Sequence, residues 1–85
     1  MLLLGILPVI ASALIKVNQT SLFVCNATGL PTPRVSIYKL VGETKYVINS
    51  NQTQIGADSG QRSYFCVAEN EFGSSFGETV HIEGM

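Results

Sequence analysis

The residues best able to do chemistry in this chain are its two cysteines, Cys25 and Cys66, and its one histidine, His81. A structural zinc site needs about four cysteine or histidine ligands at close spacing, which these residues do not supply. A nucleophilic pair of Cys66 with His81 is formally open. The competing use is a disulfide, because Cys25 is the one partner that Cys66 could find within the chain. We expect the disulfide, with no metal, no cofactor and no catalysis.

Three Asn-x-Thr triplets could accept N-linked sugar, and they begin at Asn18, Asn26 and Asn51. None has proline at the middle position, so each fits the acceptor pattern of the secretory pathway. Together with the cysteine pair, the triplets indicate an extracellular protein, secreted or at the cell surface. The alternative is a cytosolic protein in which the triplets arise by chance and both thiols stay reduced.

The start of the chain carries no charged side chain and ends its apolar run in the small residues Ala11–Ala13. A small-x-small triplet after an apolar stretch is typical of a signal peptide, which predicts cleavage after Ala13. We therefore divide the chain into a candidate signal peptide, residues 1–13, and one domain, residues 14–85. The alternative is that Leu2–Ile15 form a first strand, or are the remnant of a truncated longer chain. A membrane span is not expected, because it needs about 18 apolar residues and Pro8 interrupts these.

The composition suits one small domain of 85 residues with a net charge of −1, from five basic and six acidic residues. Without a basic patch to neutralise phosphates, nucleic acid is not an expected partner. Charged residues make up only 13% of the chain, and sugar could supply the solubility that charge does not.

The segments that must position these residues alternate with the period of two that is typical of β-strands. In Ser63–Gly73 the inward positions are Tyr64, Cys66 and Ala68, and Asn70 begins a tight turn. In Ser21–Cys25 the alternation places Phe23 and Cys25 inside and Leu22, Val24 and Asn26 outside. Other predicted strands are Leu14–Val17, Val35–Leu40, Lys45–Ile48 and Glu78–Glu83, with turns at Gly29–Pro33 and Val41–Thr44 and a loop at Asn49–Gln54.

The pattern Tyr64-x-Cys66-x-Ala68-x-Asn70-x-x-Gly73, with Cys25 on a second strand and Gly29-x-Pro31-x-Pro33 after it, resembles an immunoglobulin-like domain. It is most similar to the intermediate set, or I-set, of adhesion molecules and receptor ectodomains. The resemblance covers about residues 15–83. It implies an all-β antiparallel sandwich with a Cys25–Cys66 disulfide between the sheets and a hydrogen-bonded tyrosine corner at Tyr64.

The chain departs from the family pattern at two positions. The family packs a tryptophan on the disulfide where this chain has Ile37, and the chain contains no tryptophan. We expect Phe23 and Phe76 to fill that space, because an empty gap of this size would cost on the order of 3 kcal/mol. The second departure is Asp58, which lies eight residues before Cys66 where the family has an aspartate six residues before it.

The expected function is protein recognition through one outer sheet face or through the hairpin at Asn70–Gly73. Alternation leaves an unusually apolar set of side chains on the outer face of the sheet that contains Cys66. These candidate partner-binding residues are Tyr38, Leu40, Phe65, Val67 and His81. The partner would be a protein or a second copy of the chain, with no small-molecule substrate and with membrane contact only through an anchor elsewhere. The same face could instead pack on a neighbouring domain. The rival function is a structural spacer in a filament-associated or matrix protein.

Overall fold

The computed structural model of the chain describes residues 4–56 and 60–83, and within them the chain is all-β. The strands are β1 (Ile6–Val17), β2 (Thr20–Leu30), β3 (Arg34–Val41), β4 (Thr44–Ile48), β5 (Gln52–Ile55), β6 (Arg62–Asn70), β7 (Gly73–Phe76) and β8 (Val80–Ile82).

The strands form two antiparallel sheets that pack as a sandwich. One sheet has the order β1-β2-β5, and the other has the order β4-β3-β6-β7, with β8 also paired to β6. Cys25 on β2 and Cys66 on β6 form a disulfide that joins the sheets, with their Cα atoms 6.3 Å apart. The predicted all-β sandwich with one inter-sheet disulfide is confirmed. Because the sulfur of Cys66 is bonded, the alternative of a nucleophilic pair with His81 is excluded.

The core lies between the sheets around this disulfide, as the alternation predicts. The buried side chains of the core cluster are Phe23, Cys25, Ile37, Tyr64 and Cys66. Partly buried aliphatic residues pack around them, namely Ile10, Val35, Ile48, Ile55, Val80 and Ile82. Two-residue periodicity on β2, β3 and β6 therefore predicted the inward positions correctly, because each of these strands has one face in the core and one outside.

Of the two phenylalanines expected to fill the space of the missing tryptophan, only Phe23 does so. Ile37 and Phe23 are both fully buried, and the Phe23 ring lies 6.0 Å from the Tyr64 ring. Phe76 does not contribute, because 72% of it is exposed on the outer surface. The prediction that Phe76 fills the core was wrong. Its position is set by the hairpin register, in which Phe76 lies opposite the outward residue Val67.

The first strand is longer than the predicted Leu14–Val17, since β1 begins at Ile6, a start that lies within the alternative strand Leu2–Ile15. Its start is held by the other sheet. The side-chain amide nitrogen of Asn70 donates a hydrogen bond to the Ile6 carbonyl at 2.9 Å. The Ser75 hydroxyl donates to the Pro8 carbonyl. Residues 6–13 thus form strand in the folded chain, and cleavage after Ala13 stays a prediction.

Other differences from the predicted elements are local. The predicted loop at 49–54 contains β5, because Gln52–Ile55 pair with Ser21–Val24 of β2. The last strand starts earlier and is split, with the Gly77 amide donating to the Cys66 carbonyl at 2.9 Å between β7 and β8. The predicted turn after β3 is confirmed at Gly42, whose φ is 59°.

The acidic residue that departs from the family spacing, Asp58, lies outside the described residues. A basic residue nearby in sequence is buried, since Arg62 at the start of β6 is only 6% exposed. Its guanidinium donates to the carbonyls of Gly56 and Gly60. These bonds hold the chain on both sides of the undescribed segment, as a buried cation requires hydrogen-bonded partners.

Candidate protein-binding face

The outer surface of the β4-β3-β6-β7 sheet carries a pair of stacked rings from neighbouring strands. Tyr38 on β3 lies directly opposite Phe65 on β6. Their ring centroids are 5.1 Å apart and their planes differ by 17°. The placement follows from the alternation, because Ile37 and Cys66, the adjacent residues, point into the core. Stacked cross-strand aromatic pairs of this kind stabilise a sheet by about 0.5–1.5 kcal/mol beyond the area that they bury.

A third ring extends this pair toward the sheet edge. Phe76 on β7 has its ring centroid 6.4 Å from that of Phe65, at an interplanar angle of 36°. Phe76 is 72% exposed. We call the side chains of Tyr38, Leu40, Phe65, Val67 and Phe76 the aromatic face. The predicted set lacked Phe76, although a two-residue turn between Asn70 and Gly73 already places it opposite Val67.

Charged side chains lie around the aromatic face and not within it. The ammonium of Lys45 on β4 is 5.1 Å from the centroid of the Tyr38 ring, a cation–π distance. At the opposite end of the sheet, Arg34 of β3 pairs in register with Glu69 of β6. An apolar centre with a charged and polar rim is the usual arrangement of protein interfaces.

His81 lies at one end of this sheet, apart from the row of rings. It is exposed on β8, and its Nδ1 is 2.8 Å from the hydroxyl oxygen of Ser63 on β6. Both residues line a cleft of about 390 Å³, together with Leu40 of the aromatic face and Glu83. The cleft is therefore continuous with the aromatic face and offers room for a side chain of a partner.

The three predicted sugar acceptors all belong to the other sheet. Asn18 lies in the turn between β1 and β2, Asn26 lies on β2, and Asn51 immediately precedes β5. All three are exposed. The backbone carbonyl of Asn51 accepts a hydrogen bond from the Cys25 amide at 2.7 Å, which fixes this residue beside β2. The acceptors and the aromatic face thus occupy opposite sheets of the sandwich.

No family model, curated protein or solved structure matches this chain. In residues 4–56 and 60–83, no helix has the length and apolar character needed to cross a membrane. The same ranges contain no group of three or more His, Cys, Asp or Glu side chains placed to hold a metal ion.

Proposed function

We propose that this chain is a non-catalytic protein-recognition domain of the immunoglobulin type, which binds a protein partner outside the cell through its aromatic face. The observation that carries the proposal is the row of three rings on the outer surface of one sheet, half-buried at Tyr38 and Phe65 and exposed at Phe76, with all three sugar acceptors on the other sheet. Sugar on the β1-β2-β5 sheet would cover that side of the sandwich and leave the aromatic face accessible.

The strand order supports the immunoglobulin type. In that fold the disulfide joins the second strand of the chain to a central strand of the opposite sheet, which lies between the third strand and the last strand. Here β2 is bonded to β6, which lies between β3 and β7. The additional edge strand β4 extends the sheet of β6, as an extra strand does in variable-type domains.

The size of the aromatic face fits the centre of a protein interface. A Phe or Tyr side chain can bury about 150–250 Å² in all, and Tyr38 and Phe65 have already buried part of this area by stacking on each other. A standard interface buries about 800 Å² on each partner. The rings would therefore form the central anchor, and the rim with Lys45 and Arg34 would supply the rest. Tyr and Arg are among the residue types that most often dominate binding energy.

An extracellular location is supported by the disulfide and by the exposure of every acceptor asparagine. Disulfides persist in oxidising compartments, and N-linked sugar requires accessible Asn-x-Thr triplets. Intact mass, measured on the chain secreted from a eukaryotic cell with and without deglycosylation and reductant, tests this part of the proposal. A chain with both thiols free and no sugar would overturn the extracellular location.

The binding test compares Phe76→Asp with a matched control on the opposite sheet, Val17→Asp, which lies after the candidate signal peptide. Both side chains are exposed, at 72% and 46%, so neither change should unfold the domain. A tetramerised form of the secreted chain is applied to a panel of cell surfaces. We expect Phe76→Asp to abolish binding and Val17→Asp to retain it. Equal binding by both variants, or no binding by the unaltered chain, would contradict the proposal and favour a structural spacer.

A further inference from the structure

The turn between β1 and β2 has a strained backbone. It consists of Asn18 and Gln19, whose φ angles are 50° and 70°. A two-residue hairpin turn with positive φ at both positions suits glycine and asparagine, which tolerate the left-handed region. Gln19 tolerates this region less well, since its Cβ comes too close to the following carbonyl oxygen in this conformation. The turn that keeps β1 next to β2 in the monomer therefore holds Gln19 in an unfavourable backbone conformation.

The seat that β1 occupies is shaped for it. A Cβ added at Gly73 would lie 2.7 Å from a Leu7 methyl carbon, and one added at Gly77 would lie 3.2 Å from a methyl carbon of Ile10. Within the three-stranded sheet β1 pairs only with β2. Release of β1 would therefore break its pairing with β2 and its contacts with β6 and β7. Any strand that replaced β1 would have to place side chains of similar size against these two glycines.

The pairing of β1 with β2 allows the turn to straighten without a change of register. From Val9↔Thr28 to Val17↔Thr20 the two residue numbers of each pair add up to the same total. The same rule pairs Asn18 of one copy with Gln19 of another. If the turn extends, β1 and β2 become one continuous strand, and two such strands can pair antiparallel about a two-fold axis between these residues. Every β1–β2 pair of the monomer is then re-formed between copies.

We propose that this chain forms a strand-exchanged dimer, in which β1 of each copy occupies the seat beside β2 of the other. The partner is a second copy of the chain, because only an identical β1 matches the glycine-lined seat and the register. Exchange regenerates the contacts of the monomer and relieves two strained turns. Only the loss of entropy on association therefore opposes the exchange. The proposal goes beyond recognition by the aromatic face and does not depend on it.

The test is a pair of substitutions at Gln19 that keep the Asn18 acceptor triplet intact. Glycine relaxes the turn, whereas a β-branched residue strains it further, so we compare Gln19→Gly with Gln19→Val. Because β1 includes residues 6–13, the chain is produced without cleavage after Ala13. With its disulfide intact, it is unfolded in denaturant and refolded over a range of protein concentrations, and its mass is measured by light scattering. Since both copies open, we expect Gln19→Gly to weaken dimerisation by roughly 30-fold and Gln19→Val to strengthen it.

Two further readouts separate strand exchange from docking through the aromatic face. Phe76→Asp should leave the exchanged dimer unchanged, because Phe76 is exposed on the other sheet. Isolated monomer and dimer should interconvert slowly, since exchange requires β1 to leave its seat. A monomer at every concentration for Gln19→Val, equal dimerisation of the Gln19→Gly and Gln19→Val variants, or loss of the dimer with Phe76→Asp would overturn the proposal.

Discussion

Asn70 ties three separate segments of the chain together, and its removal should reveal how firmly the first strand belongs to the domain. Its amide nitrogen donates to the carbonyls of Ile6 at 2.9 Å and Pro31 at 3.0 Å. Its side-chain oxygen accepts from the Phe72 amide at 2.9 Å. Each bond contributes about 1 kcal/mol net, and water can replace part of this at a half-buried site. We therefore expect Asn70→Ala to lower the free energy of unfolding by about 1.5–3 kcal/mol.

Asn70→Asp separates the turn bond from the other two. The carboxylate can still accept from the Phe72 amide, but it cannot donate, and it faces the carbonyls of Ile6 and Pro31. This environment disfavours the charged form and raises the pKa of the introduced carboxyl in the folded state. Between the unfolded and folded pKa values the folded state binds more protons, so stability falls as the pH rises. At neutral pH Asn70→Asp should be less stable than Asn70→Ala, and the difference should shrink as the medium is acidified.

The assay is urea denaturation followed by far-ultraviolet circular dichroism, because the chain has no tryptophan to report by fluorescence. Asn49→Ala serves as the control, since Asn49 is exposed and is not a sugar acceptor. Its effect should stay within about 0.5 kcal/mol, as at most surface positions. If Asn70→Ala also stays within that limit, the start of β1 is not held as described. A pH-independent difference between Asn70→Asp and Asn70→Ala would refute the electrostatic part.

Two predictions concern the core around the disulfide. Ile37→Trp restores the residue type of the immunoglobulin pattern but should destabilise this chain by about 1–3 kcal/mol in urea, because Phe23 already fills the space and extra volume forces strain. Reduction of the Cys25–Cys66 bond should lower the free energy of unfolding by on the order of 4 kcal/mol, a large part of a small domain's total, in urea titrations with and without reductant.

A specific outcome would contradict each of these two predictions. An Ile37→Trp chain more stable than the parent would mean that an unfilled gap remains beside the disulfide. Ile37→Leu, which conserves volume, is the matched control and should cost less than about 1.5 kcal/mol. If the reduced chain unfolds at the same urea concentration as the oxidised chain, the disulfide does not contribute to the free energy of unfolding. The packing of the small core would then account for the stability of the sandwich.

The alternation of β2, β3 and β6 made the core and most of the aromatic face predictable from the sequence. Each of these strands has one buried face, so the identity of one inward residue settles the direction of its neighbours. Phe76 was predictable in the same way, because the tight turn at Asn70–Gly73 sets the register that places it opposite Val67. Its size suggested burial, but the register determines which face a strand residue occupies.

The start of β1 and the whole of β5 could not be assigned from the sequence, for a physical reason. β1 is apolar at successive positions, including the exposed Leu7 and Val9, so no alternation distinguishes a strand from a signal peptide. β5 consists of Gln52–Ile55 and is mostly polar, and only its pairing with β2 makes it a strand. Such pairing depends on contacts between distant parts of the chain, which local propensity does not encode.

The two proposals act on different parts of the sandwich and are compatible. Strand exchange would use the pairing of β1 with β2, whereas recognition would use the aromatic face of the opposite sheet. An exchanged dimer would therefore present two aromatic faces, each complete, because Tyr38, Phe65 and Phe76 all lie outside the exchanged strand. Two linked sites bind a surface with several copies of a partner far more tightly than one site does. Dimerisation would thus raise the avidity of recognition without changing a single contact within the aromatic face.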